Sequence, residues 1–244
     1  MRTADNVRTT PSTSVWSPPG ATVVRGTVVV LPGRGENGAV YERFGQRLSS
    51  DGYVVHAFVG MAADDQVNAI AWLAVDAPKP VVVVGVDSGA LEALSADADL
   101  PGVLAGLVLA GIPSGRTPAM TEWDDELDTR SACPVHRARL ESEVIRGALA
   151  STTIPDQLML AARRATPSVP VLVLHGSADV VASVSGARRW ATRLPTARLV
   201  VVDEGRHDVL NDVSHRSVAA EIVQFLERVR GSDRATPILR VEVG

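Results

Sequence analysis

Residues Pro80 to Leu94 read PVVVVGVDSGALEAL, a run that few folds accommodate. The five valines between Pro80 and Asp87, broken only by Gly85, are β-branched and too short a run for a helix, which predicts a buried strand. The strand stops at Gly85-Val86-Asp87-Ser88-Gly89, and Ala-Leu-Glu-Ala-Leu begins a helix. Glycines two before and two after one residue permit a very sharp turn, because Cβ atoms on those flanks would collide and the residue between them sits at strained backbone angles. That residue is Asp87.

Strand and helix patterns alternate on either side of this turn. Thr13 to Trp16 and Ala21 to Val24, separated by Ser17-Pro18-Pro19-Gly20, predict a short hairpin. Gly26 to Leu31 predicts a buried strand that ends at Pro32-Gly33-Arg34-Gly35. Val40, Phe44 and Leu48 fall at helical spacing up to Asp51-Gly52, Tyr53 to Phe58 is a strand, and Gln66 to Val75 is a helix. After the turn helix come a strand over Val103 to Ala110, a strand over Val169 to Leu174, a helix from about Ser183 to Leu194, a strand over Ala197 to Val202, and a last helix over roughly Val213 to Arg230. This order predicts an α/β fold, a mostly parallel sheet with helices on both faces. The alternation lapses only between Ser114 and Pro167, which predicts a small helical cap with amphipathic pieces near Ala138 to Leu149 and Gln157 to Arg164. Residues 1 to about 12 read as a frayed lead-in, and Ile238 to Val241 as a segment that pairs at an edge or docks on the surface.

At 244 residues with 45% hydrophobic content, the chain suits one large domain spanning 1–244. Its 24 basic and 28 acidic residues give a net charge of −4, and no Lys/Arg-rich run marks a nucleic-acid partner. The single Cys133 excludes an internal disulfide, and no apolar run approaches the roughly 20 residues that span a bilayer, so a cytoplasmic protein is expected.

Two further turns complete a pattern. His175-Gly176-Ser177-Ala178-Asp179 puts an acid on the loop after the Val169 strand, and Gly205-Arg206-His207-Asp208 follows the next strand in the same way. Parallel-sheet proteins keep their sites at these carboxyl ends, and turn residue, acid, histidine is the order of the α/β-hydrolase superfamily. From Trp16 to Leu226 the chain resembles the α/β-hydrolases of the monoacylglycerol lipase and lysophospholipase type. The matching segments are Pro32-Gly33-Arg34-Gly35-Glu36, Gly85 to Gly89, His175 to Asp179, and Gly205 to His207 with Val209-Leu210-Asn211-Asp212. The resemblance implies an α/β-hydrolase fold in which Asp179 orients His207, and the backbone N–H groups of Ser88 and Arg34 form an oxyanion hole. Three departures stand out: the family's nucleophilic serine is Asp87, its turn histidine is Pro32, and its Asp-x-Arg-Gly-His-Gly segment is replaced by Val59-Gly60-Met61.

An aspartate changes the chemistry open to such a site. A serine must lose a proton to attack, whereas a carboxylate is already ionised at neutral pH. Its attack on an ester gives a reactive anhydride; displacement at a saturated carbon gives an ordinary alkyl ester, which water activated by His207 can hydrolyse. Epoxide hydrolases and haloalkane dehalogenases share this logic and this fold. The leaving-group equipment of those enzymes is not evident: both tyrosines, Tyr41 and Tyr53, precede the cap, although Trp123 within it is a candidate halide ligand. The expectation is a hydrolase of a small organic substrate using Asp87, His207 and Asp179 without cofactor or metal. Its pocket is expected to be lined mainly by aliphatic side chains that favour acyl or alkyl groups.

Other readings stay open. Ser88 is the next candidate nucleophile, although Val86 would then crowd the turn, and a hydrolase fold used only to bind a ligand is a third. Gly33-Arg34-Gly35-Glu36-Asn37-Gly38 is a literal G-x-G-x-x-G, but Tyr53 to Phe58 ends without the acid a dinucleotide site wants. Cys133-Pro134-Val135-His136 resembles half a zinc site but lacks a second cysteine. His56 and His215 read as a strand-end and a helix-surface residue. Arg34 is placed either toward an anionic substrate group or in a solvent-facing or structural pair.

Overall fold

The computed structural model describes residues 13–59, 63–115, 117–231 and 238. The lead-in at 1–12, Gly60 and Met61, and the run from Leu239 to Val241 lie outside them. Among the described residues seven strands form one sheet: β1 (Thr13–Trp16), β2 (Gly26–Leu31), β3 (Tyr53–Phe58), β4 (Val81–Val86), β5 (Gly106–Ala110), β6 (Val171–Gly176) and β7 (Ala197–Val202), in the order β1-β3-β2-β4-β5-β6-β7. β1 is antiparallel to β3 and every other pairing is parallel.

Every residue of β2, β4, β5 and β6 is buried, as expected of strands covered on both faces. Successive side chains go to opposite faces, so Val28, Val30, Val82, Val84 and Val86 join one core while Val29, Leu31, Val81 and Val83 join the other. α1 (Glu42–Ser50) and α9 (His215–Arg230) close the first face with Phe44, Leu48, Ile222 and Phe225. α2 (Ala63–Asp76), α3 (Ser88–Asp99) and α8 (Val184–Arg193) close the second with Ile70, Leu91, Leu94 and Trp190. None of these helices is long and apolar enough to cross a membrane.

Between Ser114 and Pro167 lie α4 (Trp123–Arg130), α5 (Pro134–Glu143), α6 (Ala148–Ser151) and α7 (Asp156–Arg164). Leu127 of α4 and Leu140 of α5 pack into the first core, whereas Ala162 of α7 packs into the second, with α7 lying along α3.

Several sequence expectations shift. There is no hairpin at the start: β1 pairs with β3, and residues 21–25 run on without a strand. Pro18 and Pro19 lack the N–H groups a ladder needs, while β3 offers β1 a free edge. β5 begins at Gly106 because Leu100 to Val103 close a turn, with Gly102 at φ 75°. β6 starts after the donorless Pro170 and carries His175 and Gly176 as strand residues opposite Val201 and Val202. The helix expected over Ala138 to Leu149 is interrupted between α5 and α6, where Gly147 takes φ 76°. α4 was not legible, because its Trp-Asp-Asp-Glu start reads as a charged loop.

Candidate active site

β4 delivers Asp87 into a turn at φ 49° and ψ −119°, and α3 begins at the next residue. A Cβ on Gly85 would lie 2.2 Å from the Gly89 carbonyl oxygen, and one on Gly89 would lie 2.3 Å from that of Leu31. Both flanks therefore have to be glycine. Ser88 is half-buried in the first turn of α3, outside the strained position.

The loop after β6 brings Asp179 beside the loop after β7, which carries His207. The Asp179 Oδ1 accepts from the amides of Val181 and Ala182 at 2.8 and 2.9 Å, leaving Oδ2 to meet His207 Nδ1 at 2.9 Å. On its other side His207 Nε2 stands 3.4 Å from Asp87 Oδ1, an ion-pair distance without hydrogen-bond geometry. Gly111, at the end of β5, lets the imidazole close in: a Cβ there would lie 3.2 Å from the ring. His175, also buried, donates from Nε2 to the Ala182 carbonyl at 2.6 Å and lies 3.4 Å from Asp179.

The loop after β2 places Arg34 over Asp87, and this pairing was not read from the sequence. Arg34 Nε reaches Asp87 Oδ2 at 2.7 Å, Nη2 reaches Oδ1 at 2.8 Å, and the Arg34 backbone amide donates to Oδ2 at 3.1 Å. The remaining guanidinium nitrogen, Nη1, donates to Thr117 Oγ1, the Leu149 carbonyl and the Thr152 carbonyl. Of the two placements the sequence offered, Arg34 takes a structural pair: it is 5% exposed and both prongs of its fork are spent on Asp87. Glycine-flanked charges at the carboxyl end of a strand were the available signal.

Asp87, His207 and Asp179 are 1%, 0% and 7% exposed, so their charges are set by one another. Burial pushes the Asp87 carboxyl up, but His207 and Arg34 more than reverse this and hold it well below the usual carboxylate range. Burial pushes His207 down, yet Asp179 and Asp87 outweigh it and hold the imidazole well above its ordinary value. Asp179 is itself lowered, burial being overcome chiefly by His207. All three shifts run the same way, each toward the charged form of its group, because His207 lies between the Asp87 and Asp179 carboxylates.

Behind this layer is a second buried network that the sequence did not reveal. Arg130 Nη2 donates to the Arg34 carbonyl at 2.8 Å, and its guanidinium meets Glu36 at 3.0 Å, Glu126 at 3.1 Å and Asp208 at 3.6 Å. Tyr41 donates a short hydrogen bond to Glu36, and His136 Nε2 lies 3.1 Å from Asp208. Burial and the nearby Asp208 raise Glu36, while burial and Glu36 raise Tyr41 well above the phenolic range. Arg130 thus ties the Arg34 loop to the histidine loop, whose Asp208 amide also donates to the Arg130 carbonyl at 2.9 Å.

The remaining candidates have these surroundings. Glu36 Oε2 accepts from the Gly33 amide at 2.9 Å, so the G-x-G-x-x-G turn fills its anion position with its own carboxylate. Cys133 Sγ accepts from Arg43, and His136 faces Asp208 instead of sharing a ligand with it. Among the described residues no cluster of three or more His, Cys, Asp or Glu is arranged for a metal. Trp123 is half-buried with Arg146 stacked 5.3 Å from its ring centroid, and its indole N–H has no partner among the described residues. His56 is paired inside β3 instead of at its end, and His215 opens α9 half-buried, with Nδ1 3.0 Å from the Asp212 carbonyl.

A model of the TAP-like protein family matches residues 150–236, the part of the chain that holds Asp179 and His207. No curated protein matches the chain in sequence. Among solved structures, the monoacylglycerol lipase of Paleococcus ferrophilus is similar with a TM-score of 0.72 at 18% identity, over 90% of this chain and 99% of that one. A soluble variant of the Saccharomyces cerevisiae monoglyceride lipase, in complex with a substrate analog, gives 0.73 at 15% identity over 92% and 97%. The esterase of Exiguobacterium antarcticum gives 0.65 at 18% identity over 88% and 94%. The parallel sheet, the strained turn after its fourth strand and this likeness over nine-tenths of the length agree: the chain has the α/β-hydrolase fold.

Proposed function

We propose that the protein is a hydrolase of a small organic substrate with an apolar acyl or alkyl group, acting through Asp87, His207 and Asp179. The observation that carries this is His207 held between Asp179 at the strand-end loop and Asp87 at the strained turn, with the Arg34 amide already on Asp87 Oδ2. In this reading Asp87 Oδ1 displaces a leaving group from a saturated carbon, forming an alkyl ester, and the His207 imidazolium can hand a proton to that leaving group. Esterification removes the Asp87 charge, one of the influences that hold the His207 pKa high, so the imidazole then becomes a base. It takes a proton from water, which attacks the Asp87 carboxyl carbon, and the Arg34 amide holds the oxyanion that develops on Oδ2. Collapse then breaks the Cγ–Oδ1 bond, His207 gives its proton to the departing alcohol oxygen, and the new Asp87 carboxyl passes its own proton to His207, restoring the starting charges. The Ser88 amide is the second expected donor.

Arg34 sets a condition on this chemistry. Its fork neutralises the nucleophile, while Nη1 is bonded to residues of the 114–167 segment, which we take as the cap. Arg34 therefore contacts the nucleophile and that segment at once, and Asp87 attacks only when the fork lets it go. The likeness to lipases supports an apolar substrate. A second reading, a non-catalytic ligand-binding member of the fold, is favoured by one observation, the fully buried Arg34–Asp87 pair. Turnover on a panel of esters, epoxides and haloalkanes separates the cases. Loss with Asp87→Asn and retention with Ser88→Ala supports the triad, the reverse pair supports a Ser88 esterase, and no turnover at all supports binding.

A further inference from the structure

A second charged site lies away from the triad, between α7 and α8. A cavity of about 220 Å³ is lined by Ser114, Arg163, Gly186, Arg189, Trp190 and Arg193. Gly186, Arg189, Trp190 and Arg193 are spaced i, i+3, i+4 and i+7 along α8 and so share one face, while Arg163 stands in the last turn of α7. The walls are fixed. Trp190 is buried and donates from Nε1 to the Pro113 carbonyl at 2.9 Å, and the Arg193 guanidinium sits 5.9 Å from its ring centroid. A Cβ on Gly186 would lie 1.9 Å from Ser114 Oγ, so glycine lets the serine hydroxyl come up against the helix in the cavity lining.

The charge balance here is lopsided. The two helices that flank the cavity, α7 and α8, carry five arginines and one acid, Asp156, in a chain whose overall net charge is −4. Arg163, Arg189 and Arg193 have no acidic partner among the described residues, and the Ser114 hydroxyl has no hydrogen bond there. Three guanidinia lining one cavity with no carboxylate among the lining residues repel one another, and an anion placed between them would relieve that repulsion. Guanidinium forks match tetrahedral phosphate oxygens, three positive charges suit a dianion better than a monoanion, and the volume holds about seven waters' worth of ligand.

We propose that this cavity is a binding subsite for a phosphomonoester dianion. The test is calorimetric titration of the full chain with inorganic phosphate and with glycerol 3-phosphate, using acetate as the monoanion control. Both phosphates should bind, acetate should bind at least about tenfold more weakly, and Arg163→Ala, Arg189→Ala and Arg193→Ala should each weaken phosphate about tenfold. All three arginines are exposed, so these variants should keep the wild-type melting temperature, and Arg188→Ala, at an exposed position of α8 outside the lining, should leave phosphate affinity unchanged. Sedimentation with phosphatidic acid vesicles, lost in the triple arginine variant, would support the same site with a lipid phosphate as its source. Millimolar phosphate without heat, equal affinity for acetate, undiminished binding by the triple variant, or a preference for single-stranded DNA over either phosphate would overturn the proposal.

Discussion

Arg34 and Asp87 form a two-pronged ion pair at the strained turn after β4, with Nε 2.7 Å from Oδ2 and Nη2 2.8 Å from Oδ1. Both groups are withdrawn from water, so neither can lose its partner without leaving a buried charge.

The first prediction concerns that pair. Asp87→Asn keeps the shape of the side chain but strands the guanidinium, and it should cost about 3–5 kcal/mol in a urea titration. The double variant Arg34→Met, Asp87→Asn should lose less than the sum of the two single variants by about 1–3 kcal/mol. Additive losses would mean that the two groups do not act on each other.

The turn that holds Asp87 gives the second. Gly89→Ala drives a Cβ to 2.3 Å from the Leu31 carbonyl oxygen and 2.7 Å from that of Pro32, and backbone atoms cannot swing away as a side chain can. A loss of about 3 kcal/mol is expected from this overpacking. Gly20→Ala, which meets nothing within 4 Å, is the control and should stay within about 0.5 kcal/mol of wild type.

The pH dependence of stability gives the third. His207 has a folded-state pKa raised above its unfolded value, so its contribution is fully present below about pH 6.5 and is lost as pH rises through the raised value. Asp87 and Asp179 are depressed, so their contributions are present above about pH 3.9 and are lost only as pH falls through the depressed values. Urea midpoints should therefore fall from neutral to alkaline pH in the wild type. Asp179→Asn should flatten that slope, because Asp179 is the strongest influence raising His207. A wild-type midpoint that climbs with alkaline pH would contradict the assignment.

Much of this architecture was legible because its signals are local. Five valines cannot hide a buried strand, and β2, β3 and β7 run from Gly26 to Leu31, Tyr53 to Phe58 and Ala197 to Val202, as their patterns predicted. Turn residues were legible for the same reason, since Gly85 and Gly89 announce the strained Asp87. Partners distant in sequence were not. Nothing near Thr13 says that β1 pairs with β3 instead of folding back on Ala21, and nothing near Arg34 names Asp87, 53 residues away. Arg130 was hidden for a related reason: it sits in an acidic stretch that reads as solvated surface, yet it is wholly buried against Glu36, Glu126 and Asp208.

The network around Arg130 supplies the fourth prediction. Arg130→Met leaves Glu36, Glu126 and Asp208 without their shared cation and should cost about 3–5 kcal/mol. Glu36→Gln removes a carboxyl that burial already holds above its ordinary pKa, and it should cost less than Arg130→Met in the same assay. A larger loss for Glu36→Gln would place the organising charge on the wrong residue.

The most direct test of the central claim is the fate of the Asp87 oxygens. If water attacks an Asp87 ester, one carboxylate oxygen comes from solvent at each turnover, so repeated turnover of any accepted substrate in ¹⁸O-water should load heavy oxygen into the peptide that contains Asp87. His207→Gln should instead trap that peptide at the mass of its alkyl ester, because the base that activates water is gone. Turnover that leaves the Asp87 peptide at natural isotope abundance, with all the heavy oxygen in the product, would contradict the account.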